Sequence, residues 1–282
     1  MAELLKGAAV TAALNEKMTA DVAALKTKGV SPTLAILRVG EREDDISYER
    51  GAMKRCDSVG VAVKNVILPA DVSQEKLMAT VEELNLDAGV HGVLIFRPLP
   101  KHLDEEAVRH ALAPAKDVDG ITDGSLAGVF TGSGEGFPPC TAQACMEILD
   151  FYNVDLKGKR AVVIGRSLVV GKPVGIMLMG KHATVTTCHT RTVDMASVAR
   201  EAEVLVVAAG KANAVDKSYL SPGQTVIDVG INMTDEGKLC GDVNFADAEP
   251  IVAAITPVPG GVGTVTTSVL VSHVVEAAKR AG

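Results

Sequence analysis

The stretch SYERGAMKRC at 47–56 sets a phenol, Tyr48, six residues before an amine, Lys54. Sharing one site, they would make an acid/base pair. The stretch has helical periodicity, however. On a helix a separation of six turns the side chain about 240° round the axis, while a separation of four returns it to within about 40° of the same face. Lys54 is therefore expected in solvent, and the position sharing the face of Tyr48 is Ala52. A second group is VVIGRSLVVGKPVGIMLM at 162–179, which reads as buried strand, turn and helix start, with Gly165 and Gly171 flanking Ser167 in a GxSxxxG arrangement. Glycine there lets backbone approach a pyrophosphate, and the free amides of a helix N-terminus stabilise its charge; a ligand-free turn gives the same pattern. The following strand ends TTCHTRT, with Thr190 and Arg191 where an NAD-selective fold carries an acid for the ribose hydroxyls. Arg166 and Arg191 offer two guanidinium groups to a 2′-phosphate, which points to NADP rather than NAD. The alternative is that Arg191 is a solvated surface charge.

A third group is a set of proline- and glycine-rich loops. The run GVLIFRPLP ends in Pro98, Leu99 and Pro100, which continue neither strand nor helix and are expected along the carboxyl edge of a sheet. APAKDVDGIT (113–122) carries Asp117 and Asp119, which by spacing alone are turn-capping aspartates or ligand groups. FPPCTAQAC (137–145) and TPVPGGVGTVT (256–266) complete the set.

The elements that must position these groups follow from periodicity. TLAILRV (33–39), VAVKNVIL (61–68) and GVLIFRP (92–98) read as strands separated by helical stretches around 44–59 and 73–87, a βαβαβ beginning that implies a parallel sheet. A second run follows: RAVVIG (160–165), HATVTTCH (182–189), EVLVVAAG (203–210) and QTVIDVGIN (224–232), with helices between the first three. The segment 119–140, rich in Gly, Ser and Pro, reads as a long loop, and 263–280 as a last helix. The fold expected is α/β, two domains with a cleft between them and ligands at the carboxyl ends of the strands. A formal net charge of -7 argues against nucleic acid or an anionic membrane as partner. The five cysteines show no CxxC spacing, so reduced thiols in a cytoplasmic protein are expected, with no disulfide framework and no metal site. The N-terminal stretch interrupts its apolar residues with charges at helical spacing and reads as an amphipathic helix, neither signal peptide nor membrane span.

PLP with KDVDG, PPCT before a helix, VVIGRSLVVGKP, ATVTTCHTRT, DVGIN, GDV and TPVPGGVG occur in an order that resembles the methylenetetrahydrofolate dehydrogenase/cyclohydrolase family across essentially the whole chain. The resemblance implies a folate domain (1–139 plus 265–282, the C-terminal helix returning to it), a Rossmann-type NADP-binding domain (140–264) and a homodimer. It also implies roles. Tyr48 and Asp119 are the catalytic groups, Tyr48 stacking on the folate and Asp119 bonding the pterin's amino edge, with Asp117 the second candidate. Pro98, Leu99, Pro100, Gly260, Gly261 and Thr266 line the folate pocket. Gly165, Arg166, Ser167, Gly171, Thr190 and Arg191 hold the dinucleotide's phosphates, with Gly230 and Ile231 near the nicotinamide.

Two departures bear on activity. The family's YxxxK motif ends here in Ala52, and Phe96 stands where the family has the glutamine that bonds that lysine; Ala142 and Thr264 replace prolines in two loops. Apolar residues at both positions avoid a buried lysine or glutamine left without its partner. Hydride transfer requires placement of two rings, whereas opening the methenyl bridge with water needs proton handling. The expectation is an NADP-dependent methylenetetrahydrofolate dehydrogenase with weak or absent cyclohydrolase activity. The alternatives are a bifunctional enzyme using Lys54 or Arg55 instead, a non-catalytic dinucleotide- or folate-binding protein, and a dehydrogenase of the shikimate type.

Overall fold

The computed structural model describes residues 1–234 and 236–282. In chain order the elements are β1 (Glu3–Leu4), α1 (Gly7–Thr27), β2 (Thr33–Val39), α2 (Glu43–Val59), β3 (Ala62–Leu68), α3 (Gln74–Leu86), β4 (Gly92–Ile95), α4 (Glu105–Ala111), α5 (Asp123–Thr131) and α6 (Cys140–Phe151). They continue with β5 (Arg160–Ile164), α7 (Gly171–Gly180), β6 (Thr184–Cys188), α8 (Met195–Arg200), β7 (Val204–Val207), β8 (Thr225–Asp228), β9 (Asn232–Met233), β10 (Leu239–Cys240), α9 (Phe245–Ala248), β11 (Ala254–Ile255) and α10 (Val262–Ala281). Among the described residues no helix is long and apolar enough to cross a membrane.

The chain divides into two compact units, Met1–Ala12 with Thr141–Thr266 and Ala13–Cys140 with Thr267–Gly282. This differs from the division expected from sequence at its first residues: β1 pairs in parallel with β11 and so belongs to the second sheet. A two-residue strand carries no periodicity that sequence reading can detect.

In one unit a three-stranded parallel sheet runs β3-β2-β4. Its core gathers Leu37, Val39, Leu77, Val81, Val93, Ile95 and Leu112 from strands and helices. β4 is bounded at Ile95, short of the predicted 98; the Phe96 N–H still donates to Leu37 O at 3.1 Å, and Pro98, two residues on, has no N–H with which to carry the ladder further. The stretch expected to be a loop at 119–140 contains α5. Thr122 Oγ1 accepts the Ser125 N–H at its start, Asp123 sits in the first turn, and Gly132, at φ 71°, ends it. These end signals outweigh the weak apolar patterning of its interior.

The other unit holds a six-stranded sheet in the order β1-β11-β8-β7-β5-β6, every pairing in it parallel. From β5 the chain winds to β6 on one side and to β7 and β8 on the other, so strand order reverses at β5. In open α/β sheets that switch point is where a crevice forms beyond the strand ends. The loop after β5 begins with Gly165.

Candidate active site

In the three-stranded unit, α2 buries the stripe Asp45, Glu49, Ala52, Cys56 and Val59, spaced as one helical face, and Lys54 is exposed on another. A buried ion pair, Arg38 Nε to Glu49 Oε2 at 2.7 Å, ties α2 to β2 and fixes its rotation. Tyr48, next to Glu49, meets the ring of Phe96 edge-on, with centroids 5.9 Å apart and planes at 83°. Ala52 has no exposed surface. An amine is thus missing from the face of Tyr48, and an aromatic ring borders that face instead. Tyr48 keeps 39% of its surface exposed, yet desolvation, followed by the proximity of Cys140 and Asp119, raises its phenol pKa, with a hydrogen bond to Thr267 opposing.

The two aspartates of KDVDG have opposite roles. Asp117 is fully buried and its carboxylate accepts the N–H groups of Ile121 (3.0 Å) and Thr122 (2.7 Å). It is the turn-capping residue that its spacing allowed, with each of its oxygens accepting one backbone N–H. Asp119 is half-buried and close to Cys140, Tyr48 and Arg97. Burial pushes its carboxyl up to about 6; Arg97 and a hydrogen bond with Cys140 pull the other way, and Asp117 adds to the rise. Of the proline-edged wall, Pro98 is exposed and its carbonyl accepts from Arg42 Nη1 at 3.1 Å, while the Leu99 N–H donates to Glu105 Oε2 at 2.9 Å. The Leu99 side chain turns into the hydrophobic core, so only its backbone is left to shape a pocket. Pro100 is half-buried.

In the six-stranded unit the loop after β5 is built around two glycines. Gly165 has φ 122°, a conformation other residues avoid, and a side chain on Gly171 would strike the carbonyl oxygen of Gly165. The pair therefore lets the loop fold tightly onto the start of α7. Ser167 Oγ accepts the Val170 N–H at 3.1 Å, leaving its hydroxyl hydrogen to donate elsewhere. Arg166, Thr190 and Arg191 are all exposed at this end of the sheet, and the Arg191 N–H donates to His189 Nδ1 at 3.2 Å. No carboxylate stands in the stretch CHTRT that ends β6. A tight glycine loop leading into the start of α7, beside two exposed guanidinium-bearing residues, suits a phosphorylated dinucleotide.

A cavity of about 200 Å³ in the same unit is lined by Asp228–Ile231, Leu239 and Pro257–Thr264. It brings Gly230 and Ile231 together with Gly260 and Gly261 and leaves out Thr266, whose hydroxyl donates back to Val262 O at 3.2 Å. Asp228, in its lining, belongs to a carboxylate lattice to which sequence reading gave no role. Asp228 accepts the N–H groups of Gly230, Asp242 and Val243, each at 3.0 Å. Asp242 accepts from the N–H of Gly210 (2.8 Å), the N–H of Lys211 (3.0 Å) and Asn232 Nδ2 (2.9 Å). Burial raises Asp228 to about 6 against those three amides. The signal was present in the strings DVGIN and GDV, each with an aspartate within two residues of a glycine. A side chain on Gly230 would strike Asp242, and one on Gly241 would strike Asp228. Of the five cysteines, Cys56, Cys140, Cys145 and Cys188 are buried free thiols and Cys240 is half-buried.

Two family models match the chain: the catalytic domain of tetrahydrofolate dehydrogenase/cyclohydrolase over residues 5–119, and its NAD(P)-binding domain over residues 139–282. The chain is 52% identical over 279 residues to a bifunctional protein FolD of Carboxydothermus hydrogenoformans, covering 98% of this chain and 97% of that protein. It is 49% identical over 277 residues to one of Clostridioides difficile, covering 98% and 96%. Among solved structures it resembles the FolD methylenetetrahydrofolate dehydrogenase/cyclohydrolase of Campylobacter jejuni, with TM-score 0.96, 36% identity and 99% of both chains covered. It also resembles the enzyme of Trypanosoma brucei complexed with NADP cofactor and inhibitor, with TM-score 0.90, 36% identity and coverage of 99% and 98%.

Proposed function

Because the chain belongs to the tetrahydrofolate dehydrogenase/cyclohydrolase family, we propose that it oxidises the one-carbon bridge of 5,10-methylenetetrahydrofolate with NADP, and that it hydrolyses the methenyl product weakly or not at all. When bound, NADP supplies the acceptor for a hydride. We assign its phosphates to the loop of Gly165, Arg166, Ser167 and Gly171, with Thr190 and Arg191 at the 2′-phosphate and Gly230 and Ile231 toward the nicotinamide. The NADP found with the Trypanosoma brucei enzyme supports this choice over NAD.

The folate is assigned to Tyr48, Asp119 and the wall of Phe96, Pro98 and Pro100. Tyr48 packs on the ring system. Asp119, ionised, accepts from the pterin's amino edge. Removal of hydride leaves a cation delocalised over two nitrogens, and no proton leaves in that step. Placement is what the residues must provide, and good placement is worth about 7–11 kcal/mol. Hydrolysis of the cation is different: attacking water must lose a proton and a nitrogen must gain one, help that is typically worth ~10²–10⁴-fold. The observation that carries the proposal is the face of Tyr48, where Ala52 is fully buried, Phe96 stands edge-on at 5.9 Å and Lys54 is out in solvent.

The test uses purified protein with both half-reactions and both dinucleotides. Reduction of NADP by methylenetetrahydrofolate is expected, with methenyltetrahydrofolate opening little faster than in buffer. Rapid opening by the wild type would sink the second half of the reading, and absence of NADP reduction the first. Ala52→Lys alone is expected to restore little hydrolysis, because the new ammonium would be buried beside a ring and lack an acceptor; Ala52→Lys with Phe96→Gln restores more. On composition and family pattern the protein is further read as a cytoplasmic homodimer, and sedimentation at micromolar concentration tests the dimer.

A further inference from the structure

The carbonyl of Val118, between the two aspartates of KDVDG, accepts two donors from outside its own loop. His273 Nδ1, on α10, lies 2.9 Å from it and Cys140 Sγ 3.2 Å, the two donors being 3.9 Å apart. A carbonyl oxygen only accepts, so the imidazole carries its hydrogen on Nδ1. The thiol has a single hydrogen, shared between this carbonyl and the Asp119 carboxylate, so the imidazole is the donor fixed on Val118. The side chain of Val118 is held as well: a Cβ on Gly92 would come within 2.5 Å of Val118 Cγ1 and 3.0 Å of Val274 Cγ2, so β4 and α10 both close on it. His273 is itself gripped. Phe137 stacks on the imidazole with centroids 4.9 Å apart at 29°, and the Arg280 guanidinium stands 4.5 Å from the Phe137 centroid while donating to Gly136 O at 3.0 Å and Gly134 O at 3.1 Å.

We propose that His273 is a positioning residue for Asp119: by holding the Val118 carbonyl it fixes the peptide plane that leads into Asp119 and so sets how that carboxylate is presented to the folate. The physical link is short. The carbonyl of Val118 and the nitrogen of Asp119 share one planar peptide, so pinning one end leaves the Asp119 Cα little freedom. Asp117, one residue earlier, is anchored by its two backbone amides. The loop is thus clamped on its near side by its own aspartate and at its centre by a helix far away in sequence, and Asp119 is the first side chain beyond the clamp. Burial lowers the His273 pKa to about 4, which keeps the ring a neutral donor at neutral pH; Arg280 faces it from the same helix, and Asp117 and Glu276 oppose the shift.

The inference rests on Asp119 binding folate, as proposed above, and the experiment separates the two. Full-length wild type, His273→Leu and His273→Asn are compared for KM toward methylenetetrahydrofolate and toward NADP, and for tetrahydrofolate binding by calorimetry without dinucleotide. His273→Leu removes the donor; folate KM and the calorimetric Kd are expected to rise roughly tenfold, the size of one lost buried hydrogen bond. NADP KM stays within about twofold, and His273→Asn, which keeps an N–H donor at similar reach, regains most of the loss. Equal weakening of both ligands, or a leucine variant indistinguishable from wild type, would overturn the inference. Should the leucine variant not fold, His273→Gln, whose donor sits one methylene further out, must show the folate-selective loss or the inference fails. If wild type binds tetrahydrofolate yet reduces no NADP, the proposed reaction falls while the calorimetric comparison still decides the role of His273.

Discussion

Asp228 and Asp242 in the six-stranded unit and Asp119 in the three-stranded unit are all carboxylates in buried or half-buried surroundings, and their partners divide them. Asp228 and Asp242 accept three N–H donors each, all but one from backbone. Asp119 accepts no backbone amide among the described residues and is left with the Cys140 thiol and the field of Arg97. The dinucleotide side is thus assembled from backbone, with carboxylates and glycines holding loops in shape. On the side assigned to folate the proposed functional group, Asp119, is held by no backbone amide among the described residues, while its neighbour Asp117 does the loop-holding. A carboxylate held by several backbone amides holds structure, and one that no backbone amide reaches keeps its acceptor sites for a ligand.

This contrast breaks most sharply under substitution. Asp228→Ala strands three buried amides, each costing about 1–3 kcal/mol, so thermal unfolding should fall by many degrees or the protein should fail to accumulate. Asp119→Asn should leave the melting temperature nearly unchanged while lowering kcat/KM for folate by about 10²-fold, the scale of a lost hydrogen bond to a charged group. A variant of Asp119 that melted as early as Asp228→Ala would erase the distinction.

The pH profile sharpens the same comparison. With Asp119 raised to about 6 by burial, beside Asp117, Arg97, Cys140 and Tyr48, its carboxyl is protonated below that pH and loses acceptor capacity toward the pterin. The sign is fixed: kcat/KM for folate is flat above about pH 6 and falls about tenfold per unit below it. In Asp119→Asn that limb should disappear from the low residual rate. An acid limb that persists in the asparagine variant would assign it to another group.

Much of this was legible in the sequence, and what was hidden has physical reasons. The strands β2, β3 and β5 follow from apolar runs, and the exposure of Lys54 follows from helical geometry alone. The two-residue β1 was not legible, because its pairing with β11 depends on chain that lies about 250 residues away. Helix α5 was hidden because Gly124, Gly128 and the serine between them dilute the pattern, and only its caps announce it. Spacing allowed Asp117 and Asp119 the same two fates, and burial plus two amide donors make Asp117 the capping residue. Leu99 was expected in a pocket wall and packs in the core, since a turn formed by flanking prolines reorients a side chain in a way that periodicity cannot trace.

On the dinucleotide side the guanidinium groups are the exception to a site made of backbone, which makes them the test of cofactor choice. Arg191 is exposed, and its side chain is expected to contact only the 2′-phosphate. Arg191→Gln should raise KM for NADP by roughly tenfold, in keeping with one exposed charge-assisted contact, and leave KM for NAD unchanged. Equal effects on both would return Arg191 to the role of a solvated surface charge.

The smallest expected effect falls at Phe96, and it probes whether the folate side depends on one open carboxylate or also on the ring packed against Tyr48. An edge-to-face pair at 5.9 Å contributes about 0.5–1.5 kcal/mol beyond its area, so Phe96→Leu should lower kcat/KM for folate only about two- to tenfold. NADP KM should stay the same and Phe96→Tyr should keep most of the rate, because the hexagonal ring and its edge contact survive. The direction of the accompanying hydrolysis matters more than its size. Leucine is as apolar as phenylalanine and brings no proton donor, so methenyltetrahydrofolate opening should stay near the buffer rate even as Tyr48 loosens. If opening instead accelerates in Phe96→Leu, exclusion of water by the ring is what suppresses hydrolysis, and the absence of an amine at Ala52 is not the controlling defect.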